Sequence, residues 1–207
     1  MLNIIGEALD ELYRVFNILN HDYYENKLPE PVITIQKARP NNLGHFTLGK
    51  VWKKKDEEAD DTLARYEINL NPLNLNRSAK QIICTLQHEM VHYVNTISEI
   101  KDCNGQIHNK KFKELAEKVG LICEKSKRYG WGTTECSDIF KKYITDKIKP
   151  DESVFEYFRI GGVEKEKKPR EKKTFKYMCP GCGLVVKAER DKNIMCQDCN
   201  MTLEMEE

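Results

Sequence analysis

Residues 86–95 read LQHEMVHYVN, and this stretch decides how the chain is understood. It holds two of the chain's five histidines, His88 and His92, four residues apart, with Glu89 directly after the first. On a helix, positions four apart lie one above the other, so both imidazoles reach a single ion. Glu89 projects from a neighbouring position. It is placed to act as a base toward a water at that ion without being a ligand itself. The surrounding pattern is helical. Ile82, Ile83, Leu86, Met90, Tyr93, Val94 and Ile97 recur at three- and four-residue steps, and Asn76 or Ser78 is available as an N-cap. The bland alternative is a pair of core or surface histidines, but motif and context together favour a metal site.

A catalytic zinc takes three protein ligands and leaves one position open. The extended pattern H-E-x-x-H-x-x-G-x-x-H fails here, because Asn95 occupies the glycine position and Ser98 the last histidine position. Glu99, Asp102, Cys103 and His108 remain as candidates. Glu99 lies two helical turns beyond His92 and should point past the ion. His108 follows the turn-forming Asp102-Cys103-Asn104-Gly105 and opens the next helical segment, so the chain can reverse and present it. His108 is favoured also because three neutral imidazoles leave a divalent ion Lewis-acidic.

Around this core the elements read as an α+β fold. Leu2, Ile5, Leu9, Leu12, Phe16 and Leu19 predict an amphipathic helix ending before Leu28-Pro29-Glu30-Pro31. Val32 to Ile35, Leu43 to Trp52 and Tyr66 to Leu70 predict three strands. The run KKKDEEADD at 53–61 predicts a solvated hairpin or loop. A helix is expected from Asn109 to Val119, stopping at Gly120, and a shorter one from Asp138 to Ile148. Residues 1–160 are thus expected to form one domain. Residues 161–173, with six basic and three acidic side chains from Val163 to Lys173, read as a charged linker.

The sequence resembles the SprT-like metalloproteases, a family related to the Spartan proteases of DNA–protein crosslink repair. The likeness rests on YEINLNPLNLNRSAKQIICTLQHEMVHYVN, a strand, an Asn-Pro turn and the HExxH helix. It continues in HNKKFKELAEKVGL, where His108 and Phe112 match the family's HGxxF pattern and Asn109 replaces its glycine. RPNNLGHFTLGKVW is similar to the family's glycine-containing strand beside the cleft. The likeness covers roughly residues 9–128, together with the cysteine-bearing tail. It implies a small zincin-like fold, zinc held by His88, His92 and His108, and hydrolysis of peptide bonds in DNA-associated proteins.

The tail carries a second pattern. Cys179 and Cys182 form one C-x-x-C and Cys196 and Cys199 another, with 13 residues between them. This spacing is that of a tetrathiolate zinc ribbon over residues 174–207, in which Gly181 and Gly183 supply tight turns. So small a unit builds little core, and the metal must carry its folding. Four thiolates close the coordination sphere, so this zinc is structural where the first is catalytic.

Composition bounds the partners. The chain has 207 residues, 32% of them charged, with a net charge of +1. Bulk charge therefore announces no nucleic-acid binder. From Thr174 to Glu207 four basic residues face six acidic ones. Weak DNA contact is then expected of the linker, the ribbon, or Lys110, Lys111 and Lys113 beside His108. No apolar run is long enough for a membrane span, and the N-terminus lacks the features of a signal peptide, so a cytoplasmic location is the default. Cys84, Cys103, Cys123 and Cys136 read as free thiols. His45 is a candidate for binding substrate, Arg128 and Tyr129 for stabilising an oxyanion, His21 for the surface, and Trp52 and Trp131 for packing. The reading is a zinc metallopeptidase acting on protein, with Glu89 as base. The rival is a non-enzymatic zinc-containing DNA- or protein-binding adaptor. Glu89 argues against it, since a structural site needs no base.

Overall fold

The apolar stripe of the first segment and the buried asparagines before the HExxH helix shape the first unit. A computed structural model describes residues 3–54, 63–161 and 174–206. The chain divides into two compact units, Met1–Gly161 and Gly162–Glu207. Apart from Gly161, the expected linker falls outside the described residues, as does the charge run beyond Lys54.

The first unit is mixed α+β. Helix α1 spans Ile4–Tyr24 and buries Leu12, Val15, Phe16 and Leu19 completely. It closes at Glu25 in the left-handed conformation, ahead of the prolines. Strand β1 (Val32–Thr34) runs parallel to β3 (Arg65–Leu70), and β2 (Gly44–Trp52) runs antiparallel along the other side of β3. The order β1-β3-β2 leaves β2 with a free edge among the described residues. Two fully buried asparagines pin the loop that leads into β2. Asn69 bonds Thr34 and both backbone groups of Gln36, and Asn71 bonds Ala38, Arg39 and Asn42. Each such buried amide, bonded through both its oxygen and its nitrogen, fixes backbone that would otherwise be free.

Helix α2 (Ala79–Ile97) is the spine of the unit. Ser78 and Gln81 form a reciprocal capping box, so Ser78 rather than Asn76 is the N-cap. Ile82, Ile83, Leu86, Met90 and Tyr93 have no exposed surface. Burying five such side chains contributes on the order of 10 kcal/mol against the cost of ordering the chain. Strands β4 (Cys103–Asn104) and β5 (Ile107–His108) form a tight hairpin after α2. Helix α3 (Lys110–Lys118) follows, then the antiparallel pair β6 (Leu121–Ser126) and β7 (Gly130–Cys136). This second sheet has the order β4-β5-β7-β6. The β6–β7 hairpin is an addition to the sequence reading. The expected helix over 138–148 is α4 (Asp138–Tyr143), which widens into a π-helix over Ile144–Ile148.

In the second unit β8 (Phe175–Met178) pairs with β9 (Val185–Ala188) and β12 (Glu204–Glu206). Strands β10 (Met195–Cys196) and β11 (Met201–Thr202) make a small second hairpin. Its buried apolar side chains are Tyr177, Leu203, Cys179 and Cys196, too few to hold a fold without help.

Candidate metal and active site

Three imidazoles meet on one side of α2. His88 and His92 come from the helix, and β5 delivers His108. Their metal-binding atoms lie within 4.8 Å of one another. The Nε2 of His108 is 3.2 Å from that of His88 and 3.0 Å from that of His92. Two ligand nitrogens on a tetrahedral zinc stand roughly 3.3 Å apart, so the spacing fits such an ion closely.

The partners of the outward-facing nitrogens bear on the tautomer of each ring. His92 Nδ1 meets Asp102 Oδ2 at 2.7 Å, and His108 Nδ1 meets the carbonyl of Tyr129 at 3.2 Å. A carbonyl only accepts, so His108 donates from Nδ1 and turns a lone pair inward from Nε2. The ionised Asp102 imposes the same tautomer on His92. His88 Nδ1 meets Thr134 Oγ1 at 2.8 Å, a hydroxyl that can serve either tautomer as donor or acceptor. When His92 and His108 are both neutral, the lone pairs of their Nε2 atoms, 3.0 Å apart, repel, and a cation among them, proton or metal, removes the repulsion.

The electrostatics agree. Burial, then the neighbouring His92, holds His108 down to about 4, and burial with the other two imidazoles holds His88 well below the usual range. Burial also opposes charge on His92, but the bond to Asp102 and the charges of Glu89 and Asp102 outweigh it and raise its pKa. Asp102 is lowered: its burial is outweighed by His92, with Asn95 donating at 3.1 Å. Phe112, fully buried, lies under all three rings, with centroids 4.5–4.7 Å away.

Glu89 is 5% exposed and is not among the converging groups. Burial lifts its carboxyl to about 7, although His92 and the Phe46 backbone N–H favour the ionised form. A carboxylate poised near neutral pH is suited to take up and release a proton.

A family model described as the SprT-like family matches residues 12–129, which include all three histidines and Glu89. The chain belongs to the SprT-like family. Domains of this SprT-like kind are in general of the metalloprotease type. No curated protein and no solved structure matches the chain.

The other sequence candidates fall as follows in this SprT-like chain. Glu99 is absent from the cluster, and Asp102 grips the His92 ring. Asn109, in the place of the family's glycine, has an ordinary negative φ and caps α3 by accepting from Lys111 and Phe112. His45, Arg128 and Tyr129 line the same cleft, and His45 Nδ1 is buried without a hydrogen-bond partner among the described residues. His21 is on the surface, bonded to Asp22. Cys84, Cys123 and Cys136 are buried and free, and Cys103 is half-buried. Trp52 is not a packing residue: it is 41% exposed, and its indole N–H donates to Glu67. Trp131 is half-buried beneath Lys113, whose Nζ lies 4.3 Å from the ring centre, while Lys110 and Lys111 are exposed.

Thr134, the Tyr129 carbonyl and two glycines are site elements that the sequence reading missed. Gly130 and Gly132 flank Trp131 in β7. A methyl on either would strike His108, at 2.2 Å from its carbonyl oxygen or 2.3 Å from its Nδ1. Two glycines at alternating positions of a strand are themselves a signal of close approach.

In the second unit Cys179, Cys182, Cys196 and Cys199 converge. Cys182 and Cys196 are 3.7 Å apart at sulfur, close to the ~3.8 Å edge of a zinc tetrahedron with sulfur ligands. Gly181 is required because a side chain there would meet the Cys199 sulfur at 3.1 Å. Gly183 has φ +74, where only glycine is unstrained.

Proposed function

We propose that this chain is a zinc-dependent peptidase of zincin-like architecture, with His88, His92 and His108 holding the ion and Glu89 acting as the base. The observation that carries the reading is the convergence of three imidazole Nε2 atoms beside a buried carboxyl that is not among them. Zinc, when bound, supplies a Lewis acid for the scissile carbonyl and for water. Glu89 accepts the proton of the attacking water and returns it to the leaving nitrogen. Asp102 and the Tyr129 carbonyl keep His92 and His108 in the tautomer that points a lone pair inward, and Thr134 orients the His88 ring. The free edge of β2 gives an extended peptide main-chain partners beside Glu89. Cys179, Cys182, Cys196 and Cys199 hold a second, structural zinc. Residues 1–160 are the catalytic domain, 161–173 the linker and 174–207 the ribbon.

The proteins cleaved are DNA-associated. Support comes from the SprT-like membership and the basic excess of residues 163–173. Glu89→Gln tests the reading, since it keeps size and hydrogen bonding but removes the base. The variant should retain both zinc ions and lose at least about 100-fold in hydrolysis of an unstructured protein. Undiminished turnover would sink the mechanism.

A further inference from the structure

The cleft beside Glu89 has a volume of about 1420 Å³ and extends along α2 toward its N-terminus. Its wall there carries Arg77 and Lys80. Arg77 is half-buried and is held rigidly. Its Nε donates to Asn74 O at 2.8 Å, its Nη2 to Thr85 Oγ1 at 3.1 Å and its Nη1 to Gln81 O at 3.4 Å. Every acceptor is neutral. Among the described residues no carboxylate pairs with it, and burial accordingly disfavours its charge.

The placement is costly in a second way. Arg77 precedes the N-cap of α2, where the helix dipole repels a cation. The nearby carboxylate of Glu152 is taken up by the Ala79 N–H at 3.0 Å. A guanidinium has five N–H donors, and three are used, so a planar pair of acceptors entering the cleft can still be met. Thr85 lies one turn, about 5 Å, before Glu89 on the same helix. The first residue of β2 packs on Thr85: a methyl at Gly44 would stand 2.9 Å from its Cγ2. A peptide laid along β2 advances about 3.3 Å per residue, so a side chain one or two residues from the scissile bond reaches Arg77.

We propose that Arg77, assisted by Lys80, is a specificity-determining residue that takes the carboxylate of an aspartate or glutamate side chain within two residues of the cleaved bond. The inference rests on the peptidase reading above. The rival is that Arg77 only clamps residues 74–85 together.

The test uses full-length, zinc-loaded protein and peptide sets identical except for Glu, Gln or Lys at each position within two residues of the cut. Wild type should favour Glu about tenfold in kcat/KM at one position, as a desolvated charge-assisted pair implies. That ratio should fall to near one in Arg77→Met, survive in part in Arg77→Lys, and invert toward Lys over Gln in Arg77→Glu. A wild-type ratio of one at every position overturns the proposal. So does an Arg77→Met variant that slows all peptides together with the ratio unchanged. If wild type cleaves no peptide, the peptidase reading fails separately. The subsite is then read by fluorescence anisotropy of the same labelled peptides on the zinc-loaded Glu89→Gln protein, where Glu should bind tighter than Gln and the difference should vanish with Arg77→Met. A flat ratio there, with an oligonucleotide displacing peptide from Glu89→Gln but not from the double variant, would assign Arg77 to phosphate instead.

Discussion

The ring of His108 lies directly on the backbone of Gly132: a methyl group at Gly132 would stand 2.3 Å from His108 Nδ1 and 2.5 Å from its Cε1. No ordinary contact is that short, so the third imidazole is seated by the absence of a side chain on β7. Gly132→Ala should therefore push the ring away from the other two while leaving the strand pairing of β6 and β7 intact. The catalytic zinc should bind about 10–100-fold more weakly, as it does when a partner of a ligand is lost. Competition with a chromogenic chelator measures this, and an unchanged affinity would mean that the ring has room which the geometry denies.

Asp102 holds His92 by a contact of 2.7 Å between Oδ2 and Nδ1. Asp102→Asn keeps a carbonyl oxygen for His92 Nδ1–H but removes the charge that makes the imidazole a better donor. Zinc affinity and turnover should each fall by roughly 10–100-fold, with two zinc ions still bound at saturation. Asp102 and Cys103 also converge with His92 as a second possible set of ligands. Cys103→Ser separates the two arrangements: it should leave zinc affinity unchanged if the three histidines are the site.

The helical half of the site was legible because 3.6 residues per turn fixes where His88, Glu89 and His92 point before anything else is known. The core of α2 followed from the same period, and the four cysteines from their spacing. His108 was reachable because a Gly-containing turn must reverse the chain toward the helix. What holds the rings was not legible. Thr134 meets His88 across 46 residues, and Tyr129 meets His108 across 21. No local period links such pairs; both depend on the β6–β7 hairpin, whose charged, weakly apolar residues 124–129 gave no alternation to read. Arg77 was equally hidden. Its meaning lies in the carboxylate it lacks among the described residues, and a sequence does not show which partners fold away from it.

Asp22 ties α1 to the segment that closes the first unit. Tyr143 O–H donates to it at 2.5 Å, His21 bonds it, and Lys147 stands 3.1 Å away. The Tyr143 bond first, then His21, hold its pKa below the ordinary aspartate value. A depressed folded-state pKa contributes stability above the unfolded value of about 3.9, and that stability is lost as pH falls through the folded value. Asp22→Asn should thus lower unfolding free energy by about 1 kcal/mol at pH 7. The gap to wild type should close progressively below about pH 4. Urea titrations of both proteins at several pH values measure it. A gap that widens in acid would show that some other group carries the effect.

The ribbon's purpose is tested by removing it. The described ribbon is acidic on balance, while residues 163–173 carry the basic excess, so contact with nucleic acid should be weak and made through phosphates. Weak contact still recruits, because two units joined in one chain share an effective concentration of about millimolar order. Full-length protein should carry two zinc ions, and protein truncated after Gly162 should carry one. Both should cleave an unstructured protein at the same basal rate, because His88, Glu89, His92 and His108 all lie in the first unit. Single-stranded DNA should accelerate cleavage of a DNA-bound protein by the full chain, and the acceleration should shrink as salt rises from low to moderate. The truncated form should show little of it. Equal acceleration of both forms would move the contact onto the catalytic domain, where exposed Lys110 and Lys111 flank the Lys113–Trp131 pair. No acceleration of either would leave the peptidase chemistry standing and assign the ribbon to a protein partner.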